Sequence, residues 1–137
     1  MTSEADLQVQ VADYLRLQYP NVMFHSDFGS GIKLTMGQAI KQKRQNGGRR
    51  AWPDMFIAEP RFGTRRNKDQ AGLFIELKKE GVRLKKKNGE WGSDHIKEQA
   101  ELLSELKKRG YMAEFAVGFD EAINLIDEYL GGKNARD

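Results

Sequence analysis

The stretch "LFIELKKEG", residues 73–81, decides the architecture, because it combines the apolar pattern of a core strand with a row of charges. Side chains alternate between the two faces of a β-strand. One face would therefore carry only apolar residues and lie toward a hydrophobic core: Leu73, Ile75 and Leu77. Glu76 and Lys78 would share the opposite face. An edge strand that is protected by charge would show the same pattern, since acids and lysines at sheet edges oppose aggregation.

The preceding stretch "PDMFIA", residues 53–58, favours a chemical role for that charged face. Pro53 is tolerated at the start of a strand, and Asp54 would lie close to Glu76 if the two strands pair. Neighbouring carboxylates repel each other unless a cation neutralises them, and oxygen ligands suit Mg²⁺ or Mn²⁺. A metal site of this kind can activate water for attack on a phosphodiester. Lys78 could orient that water or help to deprotonate it, and could offset the charge of the transition state.

The rest of the chain predicts a mixed α/β sandwich around a small sheet. Apolar periodicity and capping residues predict helices over 3–18, 35–46, 94–109 and 120–130. Strands are predicted over 22–27, 54–58, 72–78 and 111–118. The expected helix N-caps are Ser3, Ser93 or Asp94, and Asp120. A charged turn with a hairpin around Asn88–Gly89 would follow the central strand. We expect one domain over residues 1–131 and a frayed tail over 132–137.

Two polar residues on the predicted helices allow two interpretations each. Gln99 falls three residues after Ile96 and four before Leu103, so it lies on the buried stripe of its helix. It could be a core glutamine bonded to backbone, or it could face the same site as Glu76. Glu4 lies at the start of the first helix, where the helix dipole alone would explain an acid.

Composition describes a globular domain with a polar surface. The chain has 137 residues, of which 31% are charged and 39% hydrophobic, and its mean hydropathy is -0.71. No apolar run approaches the roughly 18 residues that would span a membrane, and the first residues have no apolar segment of a secretory signal. The absence of cysteine excludes disulfides and thiolate metal sites, and makes a reducing cytoplasm the expected location. No glycine-rich phosphate loop is present, so no nucleotide cofactor is expected.

Basic residues concentrate in the middle of the chain, although the net charge is only +3. One basic run lies within 40–54 and contains Lys41, Lys43, Arg44, Arg49 and Arg50. Another follows the central strand and contains Lys85, Lys86 and Lys87. A single run would be read as a solvated face. Several runs around a carboxylate site favour a polyanionic partner. Trp52 and Trp91 flank these runs, and either could stack on an unpaired base or pack beneath a loop.

Three stretches resemble the PD-(D/E)XK nuclease superfamily, and most closely its virus-type replication-repair nuclease (VRR-NUC) branch. They are "RAWPDMFIA", "GLFIELKKEG" and "KEQAELLSELKKRGYMAEFAVGFDEAINLIDEYL". The resemblance runs from about Glu4 to Leu130 and implies an αβββαβ core, in which helices flank a mixed four-stranded sheet. It suggests a stand-alone domain of the phage or bacterial type. Two departures stand out: Ala51–Trp52 occupies the position where the family usually has glycine, and a basic insertion spans 59–71.

The resemblance also implies roles for residues of this chain. Asp54 and Glu76 would bind the metal together with the carbonyl of Leu77, and Lys78 would be the catalytic lysine. Gln99 would support the site, and Glu4 would complete it as a further candidate ligand. The basic helix and the loop after it would lie beside the DNA.

The function implied is that of an Mg²⁺- or Mn²⁺-dependent DNA endonuclease. Its substrate would be structured or branched DNA, as for a Holliday-junction resolvase, in replication, recombination or repair. A homodimer would supply two active sites for two strands. Four alternatives stay open: a restriction-type endonuclease, a flap nuclease, an enzyme that cleaves RNA, and an inactivated fold that only binds nucleic acid.

Overall fold

The computed structural model describes residues 2–27, 33–63 and 68–131. The expected frayed tail at 132–137, the "FGSG" segment at 28–31 and part of the basic insertion lie outside these ranges. The elements in chain order are α1 (Glu4–Gln18), β1 (Phe24–Ser26), α2 (Met36–Gln45), β2 (Met55–Ile57), β3 (Leu73–Lys78), α3 (Asp94–Lys108), β4 (Met112–Val117) and α4 (Gly118–Leu130).

The four strands form one mixed sheet in the order β1-β2-β3-β4. β2 pairs antiparallel with both β1 and β3, and Met55 lies opposite Ile75. β3 and β4 pair in parallel, because α3 carries the chain back across the sheet between them. With α1, this arrangement confirms the αβββαβ core and places β3 in the interior of the sheet rather than at an edge.

The alternation predicted for β3 is confirmed, with helices on both faces of the sheet. Leu73, Ile75 and Leu77 join one core together with residues of α1 and α4 such as Val11 and Ile126. On the other face, Phe74 packs against a second, smaller apolar cluster that includes residues of α3. The charged end of β3 therefore lies on the α3 face.

Two of the expected helix caps are present and one is wrong. The hydroxyl of Ser3 accepts from the N–H of Asp6 at 3.1 Å, and that of Ser93 accepts from the N–H of Ile96 at 3.1 Å. α4, however, begins at Gly118, so Asp120 lies in its first turn and is not its cap. Gly118 has a φ of 85°, which only glycine adopts readily, and the chain passes there directly from β4 into the helix.

Among the described residues, two antiparallel bridges lie beyond the strands, and one of them confirms the hairpin predicted around Asn88–Gly89. Arg61 and Gln70 exchange backbone hydrogen bonds of 2.8 Å, so the insertion continues the β2–β3 hairpin. Lys85 and Trp91 form an isolated antiparallel bridge around the Asn88–Gly89 turn. In the part of the chain that the structure describes, no helix combines the length and apolar character needed to cross a membrane.

Candidate active site

One cleft of about 680 Å³ brings together all five side chains predicted for the site. They come from the start of α1, the segment before β2, the end of β3 and the first turns of α3: Glu4, Asp54, Glu76, Lys78 and Gln99. Four of the five are buried, with Glu4 only partly so. The cleft therefore opens onto polar groups that the surrounding fold has largely removed from water.

Asp54 is fixed against the backbone of β3. Its Oδ2 accepts a hydrogen bond of 2.7 Å from the N–H of Leu77. The antiparallel pairing of β2 with β3 creates this contact, since Met55 stands opposite Ile75 and the preceding residue reaches toward the end of β3. The expected proximity of Asp54 and Glu76 is thus present, and their carboxyl groups share a hydrogen bond.

Glu76 is strongly perturbed by this environment. It is 3% exposed, and burial raises the pKa of its carboxyl to about 10, helped by the hydrogen bond and the charge of Asp54. The ammonium of Lys78 acts in the opposite direction, and Glu4 raises the pKa further. A cation between the carboxylates would reverse the balance by favouring the charged form of Glu76.

The position of Gln99 distinguishes the two interpretations of this residue, a core glutamine bonded to backbone or a side chain that faces the site of Glu76. It is 5% exposed and lines the cleft, and its Oε1 has no hydrogen-bond partner among the residues that the structure describes. A buried acceptor without a partner costs about 1–3 kcal/mol. The oxygen is therefore not that of a core glutamine satisfied by backbone, and it remains able to accept a hydrogen bond from a molecule in the cleft.

The donors present fit a hard divalent ion that keeps much of its water. Among the described residues, no group of three or more His, Cys, Asp or Glu side chains is arranged to hold a metal. Glu4 lines the cleft, but it does not complete such a group with Asp54 and Glu76. Two buried carboxylates would be supplemented by the Leu77 carbonyl and by water. Mg²⁺ often binds in this way, through one or two carboxylates and several waters.

The predicted DNA-binding residues divide into three groups. Lys43, Arg49 and Arg50 line the cleft, whereas Lys41 and Arg44 lie on α2 outside its lining. The others belong to the turn after β3 and do not line the cleft: Lys85, Lys86 and Lys87.

The two tryptophans pack against the protein. The ring of Trp52 lies 6.3 Å from that of Phe74. The ring of Trp91 lies 5.9 Å from that of Phe115 and accepts a cation–π contact from Lys85 at 4.8 Å. These contacts favour packing beneath the loops over stacking on a base.

Sequence reasoning missed Gln8 and Asp27. The Nε2 of buried Gln8 donates to the carbonyl of Asp27 at 3.0 Å and to that of Asp54 at 3.5 Å. The N–H of Asp27 donates to the carbonyl of Asp54 at 2.8 Å, and Asp27 also lines the cleft. Gln8 thereby ties α1 to the segment that carries Asp54. Its one sequence signal is its position beside the apolar stripe of α1, one turn after Glu4.

The backbone has an unusual conformation at the position where the resemblance implies glycine. Ala51 has a φ of 62°, and it is the only described residue other than glycine with a positive φ. This left-handed conformation costs an L-residue roughly 1–2 kcal/mol. Ala51 lines the cleft three residues before Asp54, so the backbone strain lies within the site itself.

Comparison with known proteins agrees with this geometry. No protein-family model matches the chain, and no curated protein matches it. A solved structure described as "VRR_NUC domain protein" is 26% identical, with a TM-score of 0.68, and the alignment covers 96% of this chain and 90% of that one. The mixed four-stranded sheet flanked by helices therefore defines an α/β domain of nuclease-like architecture. The protein has the VRR-NUC fold, as the sequence stretches predicted.

Proposed function

We propose that the protein is an Mg²⁺- or Mn²⁺-dependent nuclease that hydrolyses phosphodiester bonds in branched DNA. One observation carries the proposal: Asp54, Glu76, Lys78 and Gln99 are buried together in a cleft that is bordered by basic side chains. Buried ionisable groups with perturbed pKa values are typical of catalytic sites. The likeness to a VRR_NUC domain supports the nuclease interpretation at the level of the fold.

Each buried residue has a distinct part in this chemistry. Asp54 and Glu76, with the Leu77 carbonyl, would hold the metal, which when bound supplies an activated water and stabilises charge on the phosphate. Lys78 shares the face of β3 with Glu76, so its ammonium can orient the attacking water and offset charge at the phosphate. The orphaned Oε1 of Gln99 can accept a hydrogen bond from that water.

The borders of the cleft support a nucleic-acid substrate. Lys43, Arg49 and Arg50 can pair with phosphates, which positions DNA without reading its sequence. We therefore favour recognition of DNA structure over sequence, and a role in replication, recombination or repair.

A cleavage assay tests the proposal. Four-way junction, flap and linear duplex DNA, with an RNA duplex alongside, would be incubated with the protein in Mg²⁺, Mn²⁺ or EDTA. We expect metal-dependent cuts on the junction, lost in Lys78→Ala and retained in Lys97→Ala, whose lysine is exposed on α3. Equal cutting by both variants would place the chemistry elsewhere. Cutting of linear duplex at fixed sequences would instead establish a restriction-type enzyme.

We also propose that the protein acts on junctions as a symmetric dimer, because two strands must be cut. Sedimentation of the protein with junction DNA should give two copies per junction, and the two cuts should be paired. A strict monomer that cuts one strand at a time would contradict this stoichiometry.

One observation favours a second candidate, a fold that binds DNA without cutting it. The described residues contain no metal-binding group of three side chains, so the ligand set rests on two carboxylates. Tight junction binding in EDTA, combined with no cleavage in either metal, would establish this candidate.

A further inference from the structure

Helix α2 stands apart from the body of the protein. None of its residues is buried, and it is not among the elements that pack extensively against one another. Most helices in proteins owe their stability to packing of an apolar face. α2 relies on local capping instead: the Thr35 hydroxyl accepts from the N–H of Gln38 at 3.1 Å, and the Gln38 side chain accepts from the N–H of Thr35 at 3.0 Å.

α2 nevertheless carries an apolar ridge, which consists of Met36, Ala39 and Ile40. Met36 is 82% exposed and Ile40 is 55% exposed, so the ridge has no covering within the described part of the chain. These residues and Lys43 follow the spacing of one helix face, and all of them line the cleft that contains Glu76. The ridge therefore faces the candidate active site.

The charge around the ridge restricts what can cover it. α2 contains Lys41, Lys43 and Arg44 and no acidic residue, and Arg49 and Arg50 follow it. A second copy that packed ridge to ridge across a two-fold axis would bring both sets of cations together, which is unfavourable. The complementary partner is an anion that also exposes an apolar surface.

We infer that the apolar ridge of α2 contacts unstacked nucleobases at the branch point of the DNA that enters the cleft. Apolar side chains such as Met and Ile are used as wedges between base steps. Bases are accessible for such contacts where the strands of a branched DNA part, and they are covered in intact duplex. This inference rests on the proposed function and names the feature of the substrate that the cleft selects.

The test measures binding in EDTA, so that it does not depend on cleavage. A four-way junction with a fluorescent aminopurine at the branch point would be titrated with wild type and with the Met36→Ser/Ile40→Ser variant. We expect wild type to raise the fluorescence by unstacking the base. The variant should bind the junction about tenfold more weakly, with a smaller fluorescence change and nearly unchanged affinity for linear duplex.

Leu17→Ser/Met23→Ser is the matched control, because Leu17 and Met23 are 62% and 74% exposed and neither lines the cleft. It should behave as wild type. Thermal unfolding of all variants should be similar, since the substituted side chains are exposed. Equal junction affinity and equal fluorescence change for wild type and the ridge variant would overturn the inference.

Two further outcomes separate this inference from the proposed function. A shift of the ridge variant alone from dimer to monomer in sedimentation would overturn the inference, by showing that a second copy covers the ridge. If wild type never cuts in Mg²⁺ or Mn²⁺ but loses junction affinity on ridge substitution, the proposed function fails and the inference stands. If wild type cuts junctions and the ridge substitution changes neither junction affinity nor fluorescence, the inference fails and the proposed function stands.

Discussion

Two polar groups of the protein lie on opposite faces of the sheet and differ in how completely their hydrogen bonds are satisfied. Between α1 and α4, the Asp127 carboxylate accepts from the hydroxyls of Tyr14 at 2.7 Å and Tyr19 at 2.6 Å. In the cleft on the α3 face, Glu76 has a pKa raised to about 10, and Oε1 of Gln99 has no hydrogen-bond partner in the described ranges. The first group is complete within the protein, whereas the second is not.

This contrast separates a structural polar group from a functional one. A satisfied polar network stabilises one arrangement of the helices around it. A buried group without partners costs stability, and it persists where a ligand completes it. Substitutions in the Tyr14–Tyr19–Asp127 group should therefore reduce stability and spare activity. Substitutions in the cleft should reduce activity and spare stability.

The largest expected effect is on cleavage by Glu76→Gln. The amide cannot supply the second charge of the metal site, so the rate should fall at least about a hundredfold, comparable to the loss of a group that stabilises charge in a transition state. DNA binding in EDTA should be retained. Asp127→Ala is the control and should cut normally at a temperature where it is folded. Wild-type rates for Glu76→Gln would show that the cleft is not the active site.

Asp127→Ala should cause the largest loss of stability. It leaves the hydroxyls of Tyr14 and Tyr19 without their acceptor. Burial raises the pKa of Tyr14 to about 12 together with the hydrogen bond and the charge of Asp127, and the substitution removes the last two. Leaving such groups unsatisfied costs about 1–3 kcal/mol in the free energy of unfolding. Urea denaturation would measure the loss. An unchanged midpoint would contradict the structural role of this group.

A smaller and pH-dependent effect is expected for Glu76→Gln in EDTA. Because the folded protein raises the pKa of Glu76, the folded state holds its proton more tightly than the unfolded state does. That contribution to stability is complete below the pKa of the unfolded chain and is lost as pH rises toward about 10. Glu76→Gln has no carboxyl at this position and therefore does not lose this stability. The free energy of unfolding of the variant relative to wild type should rise by at least about 1 kcal/mol between about pH 6 and about pH 9.

Urea denaturation at both pH values would measure that difference. Mg²⁺ should reduce the difference in the free energy of unfolding between the two proteins. It should stabilise wild type alone, since only wild type retains both carboxylates. A pH-independent difference, or equal stabilisation of both proteins by Mg²⁺, would contradict the assignment of Glu76 to a metal site.

The smallest expected effect concerns Ala51, which lines the cleft in a left-handed conformation. Glycine adopts this conformation without the steric cost, so Ala51→Gly should raise the free energy of unfolding by about 0.5–1 kcal/mol. Ala58→Gly is the matched control, because Ala58 does not have a positive φ, and it should lower stability instead. Loss of stability in both variants would show that Ala51 is not strained.

Much of the fold was predictable because its signals are local. The alternation along β3 and the apolar spacing of α1 and α3 depend only on the periods of strands and helices. The prediction for α4 failed at its start, because the N-terminal boundary depends on the turn at Gly118 rather than on the nearest capping residue type. The roles of Asp54, Glu76, Lys78 and Gln99 came from pattern and resemblance together. Those roles remain predictions.

The missed residues show where sequence reasoning ends. Gln8 bonds to the carbonyls of Asp27 and Asp54, which are 19 and 46 positions away. No periodicity links such positions, since these partners are chosen by the packing of α1 against the strand ends.

Sequence alone was enough to predict which side chains share a face, where most helices begin, and that the middle of the chain is basic. Those properties follow from backbone geometry and composition. Packing was needed to hold Asp54 against Leu77 and to turn an uncovered ridge of α2 toward the cleft. Packing also leaves Oε1 of Gln99 without a partner within the described part of the chain. The reason is physical: desolvation and the distances between remote residues exist only once the helices have packed on the sheet.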